Sequence, residues 1–240
     1  MPPKRKQPPA QAVHASASSG FDWTSPFHPA SPPSQKLPTH QINVIISEKG
    51  VATQTANTVL YSPKINKDGN YCLNYFCDGS LQLHQKPAPG IKRPRRQMTF
   101  KTGTARPGGY SVVCGLTGED TWGFAGKAYE VKEAYSVTQC EKMGIAEALA
   151  MAVQKVEKKA KYDNSIVRVF VDATNSLTQI RNGVQGDYTG CLDRDHTRPI
   201  DLVINDLSKR LWARGCVVEL HWVPRNDTPQ HKMADFLSKK

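Results

Sequence analysis

Four acidic residues stand where a folded chain seldom leaves a bare charge. Asp78 closes YCLNYFCD, a run that alternates like a buried strand, with Gly79 and Ser80 directly behind it. Asp172 closes VRVFVD in the same way and shares a strand face with Phe170. Glu141 lies one turn before Ile145 on a helical stripe that continues to Leu149, so it begins the apolar face. Asp235 sits within MADFL, beside the apolar side of a last helix. An unpaired buried carboxylate is costly, so a chain that points one inward usually neutralises it with a cation or a metal. Taken singly, two of the four have ordinary explanations. Glu141 is also what a helix dipole favours in a first turn, and Asp235 is also an ordinary surface acid. Taken together, they form an acidic constellation that could hold a cation.

The elements that must position them follow from periodicity and turn chemistry. INVIISEKGVATQTANTVLYSP is β-like, and a strand over 71–78 comes next. GGYSVVCGLTGEDTWGFAGKAYEV is predicted as a hairpin turning at Thr117–Asp120. Residues 138–160 change period, with Ile145, Leu149, Ala152 and Val156 forming a helical stripe. VRVFVDA (167–173) is a strand with Val167, Val169 and Val171 on one face. Ile200, Val203, Ile204, Leu207 and Leu211 form a second helical stripe, with Gly215 where a C-cap belongs. CVVELHWVP is a strand, and HKMADFLSKK begins a closing helix with Met233, Phe236 and Leu237 on one side. Strands and helices in this order make a mixed α/β fold. In an open α/β sheet the carboxyl ends of neighbouring strands lie side by side, which is where sites form.

Composition narrows the function classes. The chain has 240 residues, 38% apolar and 22% charged, enough for one globular domain with a sizeable core. Residues 1–42 are rich in Pro, Ser and Ala without periodicity and are read as a disordered tail, leaving 43–240 as the domain. No apolar run is long enough to span a bilayer, and there is no signal-peptide core. Six scattered cysteines without a CxxC pair argue against a zinc module or a disulfide framework and fit a reducing compartment. PPKRKQPP is a short basic cluster of the nuclear-import kind, so a nuclear or cytoplasmic location is expected.

The net charge of +11 is unevenly spread. Residues 84–108 hold seven Lys or Arg and no acid, in a Pro/Gly-punctuated stretch that reads as a loop. Basic charge on loose segments suits a polyanion-binding protein, because released counterions drive association. A solvated charge-rich loop explains it as well.

The order strand–Asp–Gly–Ser, hairpin, helix–Glu, strand–Asp, helix, strand, helix–Asp resembles the ribonuclease H family. FCDGS resembles the family's first-strand motif, and TQCEKMGIAEAL looks like its helix motif, with Gly144, Ala148 and Leu149 in the small and apolar places. FVDATNSL resembles the third acidic motif, with alanine where serine is usual, and LHWVPRNDTPQHKMADFLSK resembles the last. The resemblance covers roughly residues 70–240. It implies a ribonuclease H-like fold, a mixed five-stranded sheet whose first three strands are antiparallel, flanked by helices, in a protein expected to be a monomer.

The resemblance also implies hydrolysis of the RNA strand of an RNA–DNA hybrid with two Mg²⁺ ions, Mn²⁺ being the alternative. Two such ions lower the pKa of the attacking water and stabilise the leaving oxygen. Magnesium prefers oxygen donors, so carboxylates without His or Cys are the right set. Asp78 would bridge both ions, Glu141 and Asp172 would share one with it, and Asp235 would help hold the other. Such enzymes read hybrid shape and 2′-hydroxyls, not base identity. Gly79, Ser80 and Thr138 stand where relatives contact substrate, although a turn glycine and a helix N-cap explain them too. Arg93, Arg95 and Arg96, in IKRPRRQMTFK with Phe100, could track phosphates and stack a base, or belong to a disordered insertion.

This sequence departs from the family in three places. Many relatives have a mobile histidine ten residues before the last Asp; here that position is Arg225, as in the plant-type branch, with His221 and His231 nearby. The loop 84–108 is enlarged. Asp235 also stands five residues from Lys240, and helix ends fray, so it is expected to be loosely held. Two other readings stay open: a nucleic-acid binder of the same fold without catalysis, and a nuclease of the same fold acting on another substrate.

Overall fold

The computed structural model describes residues 42–61, 70–81, 105–115, 124–184, 194–225 and 227–240. The elements are β1 (Ile42–Ile45), α1 (Lys49–Tyr61), β2 (Cys72–Leu81), β3 (Arg106–Gly115), β4 (Phe124–Ala134) and α2 (Val137–Lys158). They continue with β5 (Ile166–Val171), α3 (Thr174–Val184), α4 (Arg194–Trp212), β6 (Val217–Trp222) and α5 (Pro229–Ser238). The basic tail before Ile42, residues 84–104 of the basic loop with Arg93, Arg95 and Arg96, and the turn at Thr117–Asp120 lie outside the described residues. Arg106 and Gly108, assigned above to the loop, open strand β3 instead.

The sheet has six strands in the order β1-β6-β5-β2-β3-β4, one more than expected. β2, β3 and β4 are antiparallel, and β5 and β6 run parallel to β2, which is the five-stranded arrangement expected of a ribonuclease H-like fold. β1 adds itself to the edge beside β6, also parallel. β2 therefore lies at the centre, hydrogen-bonded on both sides.

Strand alternation sorts β2 into two cores. Leu73, Tyr75 and Cys77 join the larger core with Tyr110, Val112, Val167 and Val169, packed against Ile145, Leu149 and Val153 of α2. Phe76 points the other way, into a smaller core with Val113, Phe170, Val223, Ala56 of α1 and Ala234 of α5. The sheet is a middle layer, with α2 and α4 on one side and α5 and α1 on the other.

Three expectations need correction. Residues 49–61 are helix α1, not strand. Ala52 and Ala56, four residues apart, supply its buried face, and the hydroxyls of Thr55 and Thr58 donate to the carbonyls of Val51 and Gln54 (2.9 and 2.8 Å). Residues 174–184 form helix α3, which periodicity did not reveal. Phe236 is 60% exposed, so it is not part of the inner side of α5, where Met233 and Leu237 are half-buried.

Central helix α2 is buried nearly all round from Lys142 to Ala150, because the sheet covers one side and α4 the other. Lys142 (fully buried) pairs with Asp201 of α4 at 2.9 Å. Glu147 accepts from the Tyr129 hydroxyl at 2.7 Å. Helix α4 ends as expected at Gly215, whose φ of +72° closes a Schellman motif: Cys216 N–H donates to Leu211 O and Gly215 N–H to Trp212 O.

Candidate active site

Parallel pairing sets the first two acids side by side. Phe76 of β2 lies in register with Phe170 of β5, and their rings stack at 4.7 Å. Asp78 and Asp172 each stand two residues further along, on the same sheet face, at the carboxyl end of the strand pair. Asp78 is 2% exposed. Its Oδ2 accepts from the Ser238 hydroxyl of α5 at 2.5 Å. Ser80 donates its hydroxyl to the Ser238 carbonyl, and Ser111, opposite Asp78 on β3, donates to Ala234 O at 2.7 Å. These hydroxyls bind α5 to the sheet beside the acids.

Glu141 comes from the opposite layer. Ser136 caps α2, accepting from Gln139 N–H at 3.1 Å, while Gln139 Oε1 accepts from Tyr135 N–H. Thr138, half-buried in the first turn, is therefore not the N-cap. Gly79 lets the helix reach the strand: a Cβ there would lie 2.3 Å from Glu141 N and 2.5 Å from Cys140 C. The close approach that glycine permits is thus between β2 and α2. Glu141 Oε2 accepts from the Ser176 hydroxyl of α3 at 2.6 Å, a partner that sequence reasoning missed along with the helix carrying it.

Asp235 arrives on α5 and is held by two cations. Arg225 Nη2 lies 2.9 Å from its Oδ1, and Lys239, one turn on, pairs with its Oδ2. Arg225, in the segment after β6, also lies 3.7 Å from Asp172 Oδ2. The residue in the place of the family's mobile histidine is thus a built-in counter-ion for two of the four acids.

The electrostatics fit a place where like charges crowd. Burial, joined by the charges of Asp172 and Asp78, pushes Glu141 up to about 7 against the bond from Ser176. Asp78 is also raised, by burial first and then by Asp172 and Asp235, with the Ser238 bond and His231 opposing. Asp235 goes the other way. Burial opposes it, but hydrogen bonds from Lys239 and Arg225 hold its carboxyl below the ordinary range.

Asp78, Asp172 and His231 each offer one donor atom, all within 4.8 Å of one another, so this group could hold a metal ion. Glu141 and Asp235 border the group, engaged by Ser176 and by Arg225 and Lys239. Oxygen-rich donors that resist their own ionisation are what a divalent cation relieves, so the residues present fit one. His221 is elsewhere: it stacks on Phe170 and bonds Glu219 at 3.0 Å.

No family model matches the chain, and no curated protein does. Among solved structures, it is similar to ribonuclease H1 of the halophilic archaeon Halobacterium salinarum NRC-1 at 16% identity and a TM-score of 0.41, covering 69% of this chain and 93% of that one. LC11-RNase H1, isolated from compost by a metagenomic approach, gives 15% identity and a TM-score of 0.42 over 69% and 91%. The same LC11 protein in complex with an RNA/DNA hybrid gives 17% and 0.40 over 69% and 92%. On its strand order and directions, the chain has a ribonuclease H-like fold, with β1 and α1 added ahead of the central strand.

Proposed function

We propose that this chain is a metal-dependent endonuclease that hydrolyses the RNA strand of RNA–DNA hybrids. One observation carries the reading: donor atoms of Asp78, Asp172 and His231 lie within 4.8 Å of one another, Glu141 feels the charges of both acids, and Asp78 feels that of Asp235. A structural core has no need of such an arrangement, whereas a site for phosphodiester chemistry does. Asp78 and Asp172 would hold Mg²⁺ (or Mn²⁺) directly, with Glu141 and Asp235 completing the set. Such ions supply an activated water and stabilise the charge on the leaving oxygen. The protein's own residues fix the acids beforehand: Ser238 orients Asp78, and Ser176 orients Glu141. The basic excess would gather the polyanion, and a minor-groove fit by shape would select the hybrid.

A second reading has its own support. Arg225 and Lys239 already neutralise Asp235, and Arg225 reaches Asp172, so part of the acidic charge is balanced without metal. On this reading the chain binds nucleic acid with little or no catalysis. The test uses full-length protein, Mg²⁺ or Mn²⁺, and an end-labelled hybrid. The nuclease reading expects cleavage of the RNA strand that EDTA abolishes and Asp78→Asn lowers at least a hundredfold. If wild type and Asp78→Asn cleave equally poorly, while hybrid binding is indifferent to EDTA and to Asp172→Asn, the binder reading stands and the nuclease is refuted.

A further inference from the structure

His231 is the most completely buried polar ring at the site, with no exposed surface at all. It occupies the first turn of α5, and its backbone N–H donates to the capping Thr228 hydroxyl at 3.2 Å. The backbone is thus satisfied, but the ring is not: neither Nδ1 nor Nε2 has a hydrogen-bond partner among the described residues. A buried polar group left so is costly and is normally paired or ligated. Asp172 Oδ1 lies 3.7 Å from Nε2, beyond hydrogen-bond reach. A ring nitrogen, a carboxylate oxygen of Asp172 and one of Asp78 form a triangle no wider than 4.8 Å.

We infer that His231 is a nitrogen ligand to the cation that Asp78 and Asp172 hold, making a mixed oxygen–nitrogen site that favours Mn²⁺ over Mg²⁺. The inference rests on the metal site proposed above and deepens it. Its chemistry differs from an all-carboxylate set. Imidazole suits first-row transition ions, whereas Mg²⁺ prefers oxygen and sheds its waters reluctantly. A neutral ligand also completes coordination without adding to a negative charge that Asp78 already resists. The ring's position on a helix held to the sheet by Ser111 and Ser238 keeps it fixed, which suits a ligand better than a swinging product-release group.

Pulsed EPR on full-length protein loaded with Mn²⁺ tests it, with histidine labelled with ¹⁵N in a parallel sample. The expected result is a nitrogen coupling on bound Mn²⁺ that changes isotope signature with the label and disappears in His231→Asn and His231→Gln. The same variants should narrow the ratio of Mn²⁺ to Mg²⁺ affinity, read by calorimetry, by about tenfold. Bound Mn²⁺ that Asp78→Asn releases but that shows no nitrogen coupling in wild type overturns the role of His231 while leaving the acidic metal site intact. Mn²⁺ that fails to bind wild type, or binds Asp78→Asn equally well, overturns both. The wild-type spectrum decides between ligand and bystander even if both variants fold poorly.

Discussion

Gly79 is where the two readings of a glycine can be told apart by a single methyl group. In Gly79→Ala the added Cβ would sit 2.3 Å from Glu141 N, 2.5 Å from Cys140 C and 2.8 Å from Glu141 Cα. Real Cβ contacts essentially never fall below 3.0 Å, so helix and strand must part by roughly 1 Å to restore an ordinary contact. All three obstacles are backbone atoms, so no rotamer change relieves them. Overpacking costs about 1–3 kcal/mol, and this geometry belongs at or above the upper end, near 3 kcal/mol. The same retreat loosens the neighbouring approach of Gly144 to Cys77 and moves Glu141, the helix's only acid at the site. Urea unfolding should therefore show a lowered midpoint at unchanged slope, and calorimetry should show weakened Mn²⁺ binding. A variant within 0.5 kcal/mol of wild type that has lost only hybrid binding would refute the packing account and return Gly79 to a substrate role.

Two further outcomes follow from charges the fold encloses. Glu141, held at about 7 by burial and neighbouring acids, keeps a proton that the unfolded chain releases near its ordinary 4.5. Its contribution to stability is therefore greatest below about pH 4.5 and is lost as pH rises through 7, by about 3 kcal/mol for one ideal site. Urea unfolding in EDTA at pH 5 and pH 7.5 should show most of that loss, with Mn²⁺ reversing part of it at the higher pH; an equal pH response in Glu141→Gln would exclude this residue as the cause. Lys142→Met should cost about 3–5 kcal/mol, because it leaves Asp201 buried and unpaired, whereas the apolar double replacement Lys142→Met with Asp201→Leu should recover most of it. A single variant as stable as the double would show that the pair is not what makes the substitution costly.

Much of this frame was legible because β2, β5 and β6 carry their signals locally. Alternation in YCLNYFCD and VRVFVD describes buried strands whatever surrounds them, and both acids sit at the end of such a run. α1 was not legible, because Val51, Thr53, Thr55 and Thr58 have β propensity and only the alanine pair, Ala52 and Ala56, shows the helical period. Propensity lost to packing, with Thr53 and Lys49 tied to Asp227 across 174 residues or more. Among its described side chains α3 buries the apolar Leu177 and Ile180, too sparse a stripe to read, so Ser176 and its bond to Glu141 were hidden with it. Arg225 could be seen in the sequence, but its bridge between Asp172 and Asp235 depends on how β6 and α5 meet.

α5 shows why a site can conceal itself from a hydropathy reading. Met233, Phe236 and Leu237 mark an apolar side, yet the buried residues are Gln230, His231, Ala234 and Ser238, the last three spaced three and four apart as a helix face requires. Three of these four stand against polar groups that a larger apolar side chain could not serve. Ser238 holds Asp78, Ala234 lets Ser111 reach its carbonyl, and His231 faces Asp172. Larger apolar groups at Ala234 or Ser238 would push the helix off the sheet and take Asp235 with it. The inversion of pattern is thus the mark of the site: local rules fail at positions where the fold has given up apolar burial to place charge and donor atoms. His231→Leu provides the corresponding measurement. It should raise or maintain the urea midpoint, by burying an apolar side chain where an unpartnered ring stood, while weakening Mn²⁺ binding. A loss of stability together with unchanged Mn²⁺ affinity would show that the ring serves the fold and not the metal.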